Sequence, residues 1–141
     1  MQSLIEAVIA AIVADGQVGG LLAQNQVFTG AAPETALMPF LTLGIVPGRP
    51  TGHDFSGNRV TEATVVLTAV GENLPVLLEI ADQLAALLDA ASLALSAGVL
   101  LGIWQERAAE PMLAGVDAAS DEVYRVQARF RCQVFEAAGH G

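Results

Sequence analysis

The sequence predicts a single small domain of the α+β class over residues 1–141, with two helices packed on one face of a mainly antiparallel sheet. A chain of 141 residues is long enough for one core, and 53% apolar residues exclude intrinsic disorder. Two segments carry apolar residues at helical spacing, whereas four others alternate in polarity or are rich in β-branched residues, as strands are. The predicted order is α-β-β-α-β-β. Because two helices cannot cover both faces of such a sheet, we expect one face to meet solvent or a partner.

The first helix is predicted over residues 3–14. Ser3 and Glu6 form a capping-box pattern at its start, and Asp15-Gly16 is a helix-stopping pair at its end. Between these signals, apolar residues recur three and four positions apart, as they do on one face of a helix. These residues are Leu4, Ile5, Val8, Ile9, Ile12 and Val13.

A weakly patterned segment separates this helix from two strands. Residues 17–26 have room for a short helical turn, Val27-Phe28 is a candidate short strand, and residues 30–39 are predicted to form a loop. Strands are then predicted over residues 40–46 and 59–70, because the second of these stretches is rich in Val and Thr and both are bounded by turn-forming residues.

Residues 47–58, with the sequence PGRPTGHDFSGN, are predicted to form the loop between these strands. The segment is too long for a tight hairpin and too rich in Pro and Gly for regular structure. Such a loop has few buried contacts of its own, so we expect it to order against a partner. In that docking role Phe55 is the candidate apolar anchor, and Arg49, His53 and Asp54 are candidate polar contacts around it.

The second helix has the clearest sequence signals in the chain. Asn73 is its candidate N-cap, and Pro75 lies in its first turn, where proline is tolerated. One side is apolar, and we expect Leu84 in that stripe to be buried against the sheet. The stripe consists of Leu77, Ile80, Ala81, Leu84, Leu87 and Leu88. The polar residues facing away from it are Glu79, Asp82, Gln83 and Asp89.

Two more strands are predicted over residues 99–107 and 122–136, joined by an acidic, proline-containing loop at 108–121. The last strand alternates throughout its length, so one set of side chains faces the core and the other faces away. The inward set is Tyr124, Val126, Ala128, Phe130, Cys132 and Val134. The outward set is Arg125, Gln127, Arg129, Arg131 and Gln133.

The charge distribution points to self-assembly. The chain has a formal net charge of −9, with 15 acidic residues, 6 arginines and no lysine, which argues against binding nucleic acid through its phosphates. Three arginines on one strand face repel each other unless carboxylates approach, and a neighbouring subunit is the simplest source of carboxylates. The arginines proposed for this contact are Arg125, Arg129 and Arg131. Their proposed partners are Glu79, Asp82 and Asp89, with the acidic loop as an alternative.

No catalytic, cofactor-binding or metal-binding site is predicted. His53, Asp54 and Ser56 are the residue types of a catalytic triad, but near neighbours on one loop cannot easily point at one another. Metal binding needs clustered ligands, whereas this chain has two histidines and one inward-facing cysteine, Cys132. The glycines are not followed by the Gly-Lys-Ser/Thr of a phosphate loop. We therefore expect that the protein is not an enzyme.

Two surface features leave alternatives open. Trp104 suits a role as interface anchor, and equally a packing role in the core or at the edge of the sheet. Carboxylates cluster around the predicted loop at 108–121, where a solvated surface is favoured over a calcium site or a contact with an arginine-rich partner. These carboxylates belong to Glu106, Glu110, Asp117, Asp121 and Glu122.

Neither a signal peptide nor a membrane span is expected. The first apolar run contains Glu6 and lacks a preceding basic region, unlike a secretory signal. Residues 84–101 are strongly apolar, but Asp89 and Gly98 interrupt them where a helix gives way to a strand.

The order of elements and several residues resemble one known family over nearly the whole chain. This family comprises the tail terminator (tail completion) proteins of long-tailed bacteriophages and related gene transfer agents. The segments that carry the resemblance are the short helix Leu4 to Asp15, Val27-Phe28, Pro33, Leu37-Met38-Pro39, and Tyr124-Arg125-Val126 through Phe130-Arg131.

The resemblance implies a structural virion protein that forms a homo-hexameric ring on the end of the tail tube. Such a ring stops tube polymerisation and presents a joining surface to the head-completion (neck) proteins. The implied location is the head-proximal end of the tail in the virion, after assembly in the host cytoplasm. DNA passes through the lumen without sequence-specific binding, and an acidic ring would repel it. The high acidity and the lack of lysine depart from the family pattern.

Two other functions remain open at this stage. One is another ring-forming part of the particle, such as a head-closure or tail-tube component. The other is a small α+β enzyme or ligand-binding domain, whose polar groups would centre on His53. An enzyme or ligand-binding domain predicts a concave site with perturbed titratable groups, whereas a structural protein predicts exposed contact surfaces.

Overall fold

The computed structural model describes residues 2–53, 59–116 and 121–136. The predicted α+β class and the order of the main elements are confirmed, and a short helical turn and a short strand lie between the first helix and the first long strand, as expected. In chain order the elements are α1 (Gln2–Ala14), α2 (Gly16–Gly19), β1 (Val27–Thr29), β2 (Phe40–His53), β3 (Arg59–Gly71), α3 (Leu74–Leu88), β4 (Val99–Val116) and β5 (Glu122–Glu136).

The strands form one five-stranded sheet in the order β1-β2-β3-β5-β4. β1 is parallel to β2, and the other three pairs are antiparallel, so the predicted mainly antiparallel sheet is confirmed. β5 therefore lies between β3 and β4, where both of its edges are hydrogen-bonded. Its central position explains why its alternation in polarity is so regular.

One face of the sheet forms the core together with α1 and α3. Phe130 on β5, Leu67 on β3 and Leu84 on α3 are 0–1% exposed. Leu4 on α1 belongs to the same buried cluster, so both main helices pack on one face, as predicted. Cys132 is also buried there, and desolvation raises the pKa of its thiol to about 12.

We expect Leu84→Ala to lower the free energy of unfolding by about 2 to 5 kcal/mol, because it removes a buried side chain and leaves a cavity. Leu84 is 1% exposed on the apolar side of α3. Urea unfolding followed by circular dichroism measures the loss. Val13→Ala on α1, where the side chain is 38% exposed, is the control. A loss at Leu84 no larger than at Val13 would contradict the assigned packing.

The caps of the helices are in part those predicted. The Asn73 side chain accepts a hydrogen bond from the Val76 backbone N–H at 3.4 Å, and Pro75 lies in the first turn of α3. The predicted capping box at Ser3 is wrong, because α1 already begins at Gln2. The Ser3 hydroxyl instead donates to the Ala97 carbonyl at 2.9 Å, which ties α1 to the segment before β4.

Two strands are longer than predicted. β2 continues through the predicted loop to His53, so Arg49 and His53 are strand residues, while Asp54 and Phe55 lie outside the described residues. Proline has no backbone N–H, so it interrupts a strand only where the sheet needs a hydrogen bond from that position. Because β1 stops opposite Leu43, the rest of β2 lies on the sheet edge, where proline is tolerated. Shifts in register between Pro47 and Gly52 absorb the irregularity.

The predicted loop at 108–121 is likewise mostly strand, since β4 extends from Val99 to Val116. β4 is an edge strand, so Pro111 removes no hydrogen bond from a second neighbour. Four shifts in its register with β5 let it follow its partner despite its irregular sequence. Both antiparallel hairpins are therefore longer than the sequence predicts.

Candidate assembly surfaces

The second face of the sheet carries no helix of the described chain, and we call it the open face. Its side chains lie in cross-strand rows that the register defines. One row joins Val46, Thr64, Arg131 and Trp104 across β2, β3, β5 and β4. The next rows contain Gly44, Val66 and Arg129, then Thr42, Thr68 and Gln127, then Phe40, Val70, Arg125 and Met112.

Three arginines form a column along β5 in the middle of the open face. Arg125 and Arg131 are exposed and Arg129 is half-buried, while Val126, Ala128 and Phe130 between them are buried in the core. Their outward orientation is the one that the alternation predicts. Their role in a subunit contact stays a prediction.

Few of the carboxylates whose side chains the structure describes approach the arginine column. Arg131 Nη2 lies 3.4 Å from Glu106 Oε1, an exposed pair of the kind that contributes about 0 to 1 kcal/mol. Arg125 Nη2 lies 3.7 Å from the sulfur of Met112. Among the side chains that the structure describes, no carboxylate forms an ion pair with Arg125 or Arg129. The column is therefore a strip of three outward arginines on an acidic protein.

The acidic residues proposed as its partners lie on the other side of the domain. Glu79 and Asp82 are exposed on α3, opposite the side that packs on the sheet. The arginine column and these carboxylates therefore face away from each other across the core. They are placed to meet between two copies of the chain and not within one.

Asp89 has a structural role within the subunit. Its Oδ1 accepts a hydrogen bond from the Gln105 backbone N–H at 2.9 Å. Beside it, the Ala90 N–H donates to the Ile103 carbonyl at 2.7 Å. The end of α3 thus satisfies backbone groups on the outer edge of β4, and part of that edge is closed to another strand.

Exposed apolar side chains concentrate on β4, which the sequence analysis did not predict. The described chain exposes nine large hydrophobic residues, and five of them belong to this strand. The five are Val99, Leu101, Trp104, Met112 and Leu113. The apolar run around Leu101 is visible in the sequence. That these side chains are exposed follows only from the edge position of β4 and the shifts in its register.

Trp104 is held in place on the open face. It is 36% exposed and lies opposite Arg131 in the register of β4 with β5. Its indole ring covers Gly102, where an added Cβ would come within 2.8 Å of the ring carbon Cζ3. Gly102 therefore leaves the space in which the ring packs against the strand. The exposure of Trp104 excludes burial in the core, whereas packing at the sheet edge fits the structure and the interface role stays a prediction.

Residues 47–53 of the predicted docking loop form the end of β2 in its hairpin with β3. At this end Arg59 is held by Glu136 on β5, with Arg59 Nη2 and Glu136 Oε2 2.7 Å apart. A Cβ at Gly48 would collide with the backbone oxygen of Glu62, so glycine is required for this close strand approach. β5 therefore supports this end of the hairpin from the β3 side.

A shallow groove of about 480 Å³ lies beside the start of α3, lined by Met38, Pro39, Glu72 and Val76 among others. In the part of the chain that the structure describes, clear pKa shifts occur at Tyr124 and Cys132, and neither lines this groove. No group of three His, Cys, Asp or Glu suited to a metal ion occurs among the described residues. No described helix is long and apolar enough to cross a membrane.

The fold and these surfaces define a class of protein: a small α+β domain whose distinctive features are exposed charged and apolar surfaces. The family model described as tail completion protein gp17 matches residues 6–134. The chain belongs to this tail completion family, as its sequence resemblance indicated. It is thus placed among the structural proteins of phage tails.

A solved structure supports the same fold. A chain in the structure described as the virion of a native gene transfer agent (GTA) particle is 22% identical to this one, with a TM-score of 0.75. The match covers 95% of this chain and 96% of that chain. At this identity the likeness shows a shared fold over the full length of both. No curated protein matches the chain.

Proposed function

We propose that the protein caps the tail tube as a hexameric ring, ends its polymerisation and provides the joining surface for the head-completion (neck) proteins. The supporting observation is the pair of complementary surfaces on opposite sides of one domain. A positive column lies on the open face, and a negative surface lies on the outer side of α3. Contacts between unlike surfaces build rings when the rotation per subunit closes.

Within this proposal, Arg125, Arg129 and Arg131 of one copy bind carboxylates on the next. Glu79 and Asp82 are the best placed partners, because α3 presents both to the outside. Asp89 is the least suited of the proposed acidic residues, since it already accepts a hydrogen bond from the Gln105 backbone. The planar guanidinium group favours such contacts because it binds a carboxylate through two parallel hydrogen bonds.

The remaining surfaces are assigned to the neighbours of the ring. The hairpin end around Arg49 and His53 docks on the tube or on the neck, and Asp54 and Phe55, which lie outside the described residues, belong to the same proposed contact. A ring built from chains of net charge −9 repels duplex DNA, so the genome slides through the lumen without binding. The protein acts at the head-proximal end of the tail, without catalysis, after assembly in the host cytoplasm.

Polymerisation of purified tube protein tests the capping role. We expect substoichiometric amounts of this chain to shorten the tubes, because each bound ring removes a growing end. In negative-stain images, a gold-labelled chain should mark one end of each tube. Label along the whole length would instead indicate a tube component. Unchanged tube lengths and unlabelled ends would contradict capping and would favour a head-closure role.

A further inference from the structure

The exposed apolar strip on β4 is not explained by the arginine column alone. Val99, Leu101 and Trp104 lie close together in the first half of this strand and form an exposed apolar patch of the kind that soluble proteins usually cover, whereas Met112 and Leu113 lie opposite Arg125 and Tyr124 at the other end. Trp104 lies within it, beside Arg131 in the same cross-strand row. Tryptophan and arginine are the residues most enriched at the energetic centres of protein interfaces.

Trp104 is also preorganised for binding. Its ring packs over Gly102, and its cross-strand neighbour Arg131 is oriented by Glu106 at 3.4 Å. A side chain whose conformation is already fixed loses little entropy when a partner covers it. Arg131 also has N–H groups beyond the single contact with Glu106, and these are available to further carboxylates.

A complementary patch exists on α3. Leu78 is 37% exposed, although it belongs to a helix whose apolar residues are otherwise turned towards the sheet. Glu79 follows it directly, and Asp82 lies one helical turn further on the same side. The outer side of α3 therefore presents an apolar side chain flanked by two carboxylates, whereas the open face presents an apolar side chain flanked by an arginine.

We propose that Trp104 is the anchor of the subunit contact and packs on Leu78 of a second copy of this chain, with Arg131 facing Glu79 and Asp82. This inference rests on the proposed ring, since the two patches lie on opposite sides of one domain. Apolar contact at the centre with charged pairs around it is the usual arrangement of a stable interface. In this contact, Trp104 and Leu78 determine which surfaces of two copies meet, a role that the charge pattern of the sequence does not indicate.

The intrinsic fluorescence of the protein tests this contact directly, because Trp104 is its single tryptophan. As the concentration rises and native mass spectrometry detects oligomers, we expect the emission to shift to the blue and acrylamide quenching to fall. Leu78→Glu should abolish both changes. Val13→Glu is the matched control, since Val13 is 38% exposed, close to the 37% of Leu78, and belongs to a different helix, α1.

A charge exchange tests the orientation of the contact. Arg131→Glu should reduce the oligomer fraction at least tenfold, and adding Asp82→Arg to the same chain should restore it. Thermal unfolding by circular dichroism checks that each variant folds. Rescue by Asp82→Arg would not occur if Arg131 acted only on Glu106 within its own subunit.

The outcomes separate this contact from the proposed function. If oligomers form while the Trp104 emission stays unchanged, the anchor is wrong and the ring uses other surfaces. If the parent chain remains monomeric at its highest soluble concentration, the contact between copies is overturned in solution. The tube-shortening experiment then decides the capping role independently.

Discussion

Arg129→Glu is expected to weaken self-assembly by about tenfold or more while leaving the subunit folded. Arg129 lies at the middle of the arginine column, in the row with Val66 and Gly44, and no carboxylate among the side chains that the structure describes pairs with it. Its reversal would place a carboxylate against the carboxylates of the next copy. Like charges brought together in an interface cost several kcal/mol, and about 1.4 kcal/mol already corresponds to a tenfold change in affinity.

Native mass spectrometry over a concentration series measures this effect, and Arg59→Glu is the matched control. Arg59 is also a surface arginine, but it lies outside the column and pairs with Glu136 of its own chain. We expect the control to retain the oligomer distribution of the parent, because an exposed pair contributes little. Identical distributions for Arg129→Glu and the parent would refute the arginine column as a subunit contact.

Added salt provides a second measurement on the same variants. Exposed charges are screened over about 10 Å at an ionic strength near 0.1 M, so the parent should lose oligomers as salt rises. The loss should be smaller for any oligomer that still forms with Arg129→Glu, because that variant has lost part of the attraction. Salt dependence therefore separates a charge-driven contact from one held by apolar packing alone.

The sequence was sufficient to predict the centre of the fold. β5 is paired on both edges and covered on one face, so every second residue is buried and the alternation in polarity predicts the orientation of Arg125, Arg129 and Arg131. The start and the buried side of α3 could also be predicted, since Asn73 caps the helix and its apolar stripe is the side that packs on the sheet. Burial on one side leaves a periodic pattern wherever an element is central.

The ends of β2 and β4 could not be predicted in the same way. Pro47, Pro50 and Pro111 are loop signals only if both edges of a strand need their hydrogen bonds. Whether a strand lies at an edge depends on the sheet order β1-β2-β3-β5-β4, which no local pattern specifies. Residues 47–53 and 108–116 therefore look like loop in the sequence, although they belong to β2 and β4.

The contact surfaces depended on tertiary structure even more. The hydrogen bond from the Gln105 backbone to Asp89 joins the end of α3 to the edge of β4, and it removes Asp89 from the freely available acidic residues. Leu78 follows the buried Leu77 directly, and nothing in the residue type distinguishes the two. Leu78 is exposed because each residue of a helix is rotated about 100° from the one before it. The type of each side chain predicts whether a surface is charged or apolar. Which residues lie next to each other on that surface depends on the strand register.

The hairpin between β2 and β3 is expected to be required for joining tails to heads, although the fold does not need it. Shortening residues 49–56 to a tight turn retains the pair Pro47 and Ala63. On the other side of β3, pairing with β5 from Arg59 to Gly71 is unaffected, so this strand stays in the sheet. The shortened chain should therefore fold and form the same oligomers as the parent.

Complementation of a particle-producing strain that lacks the gene measures the effect on joining. We expect the shortened chain to support tails of normal length but almost no infectious or transducing particles, because the docking contact with the tube or neck is missing. Replacing residues 49–56 by an equal length of Gly and Ser is the matched variant, since it keeps the reach of the hairpin and removes its side chains. If side chains such as Arg49 and His53 make the contact, this variant fails as well. Normal particle yields from both variants would show that the hairpin does not dock, and joining would have to use another surface of the ring.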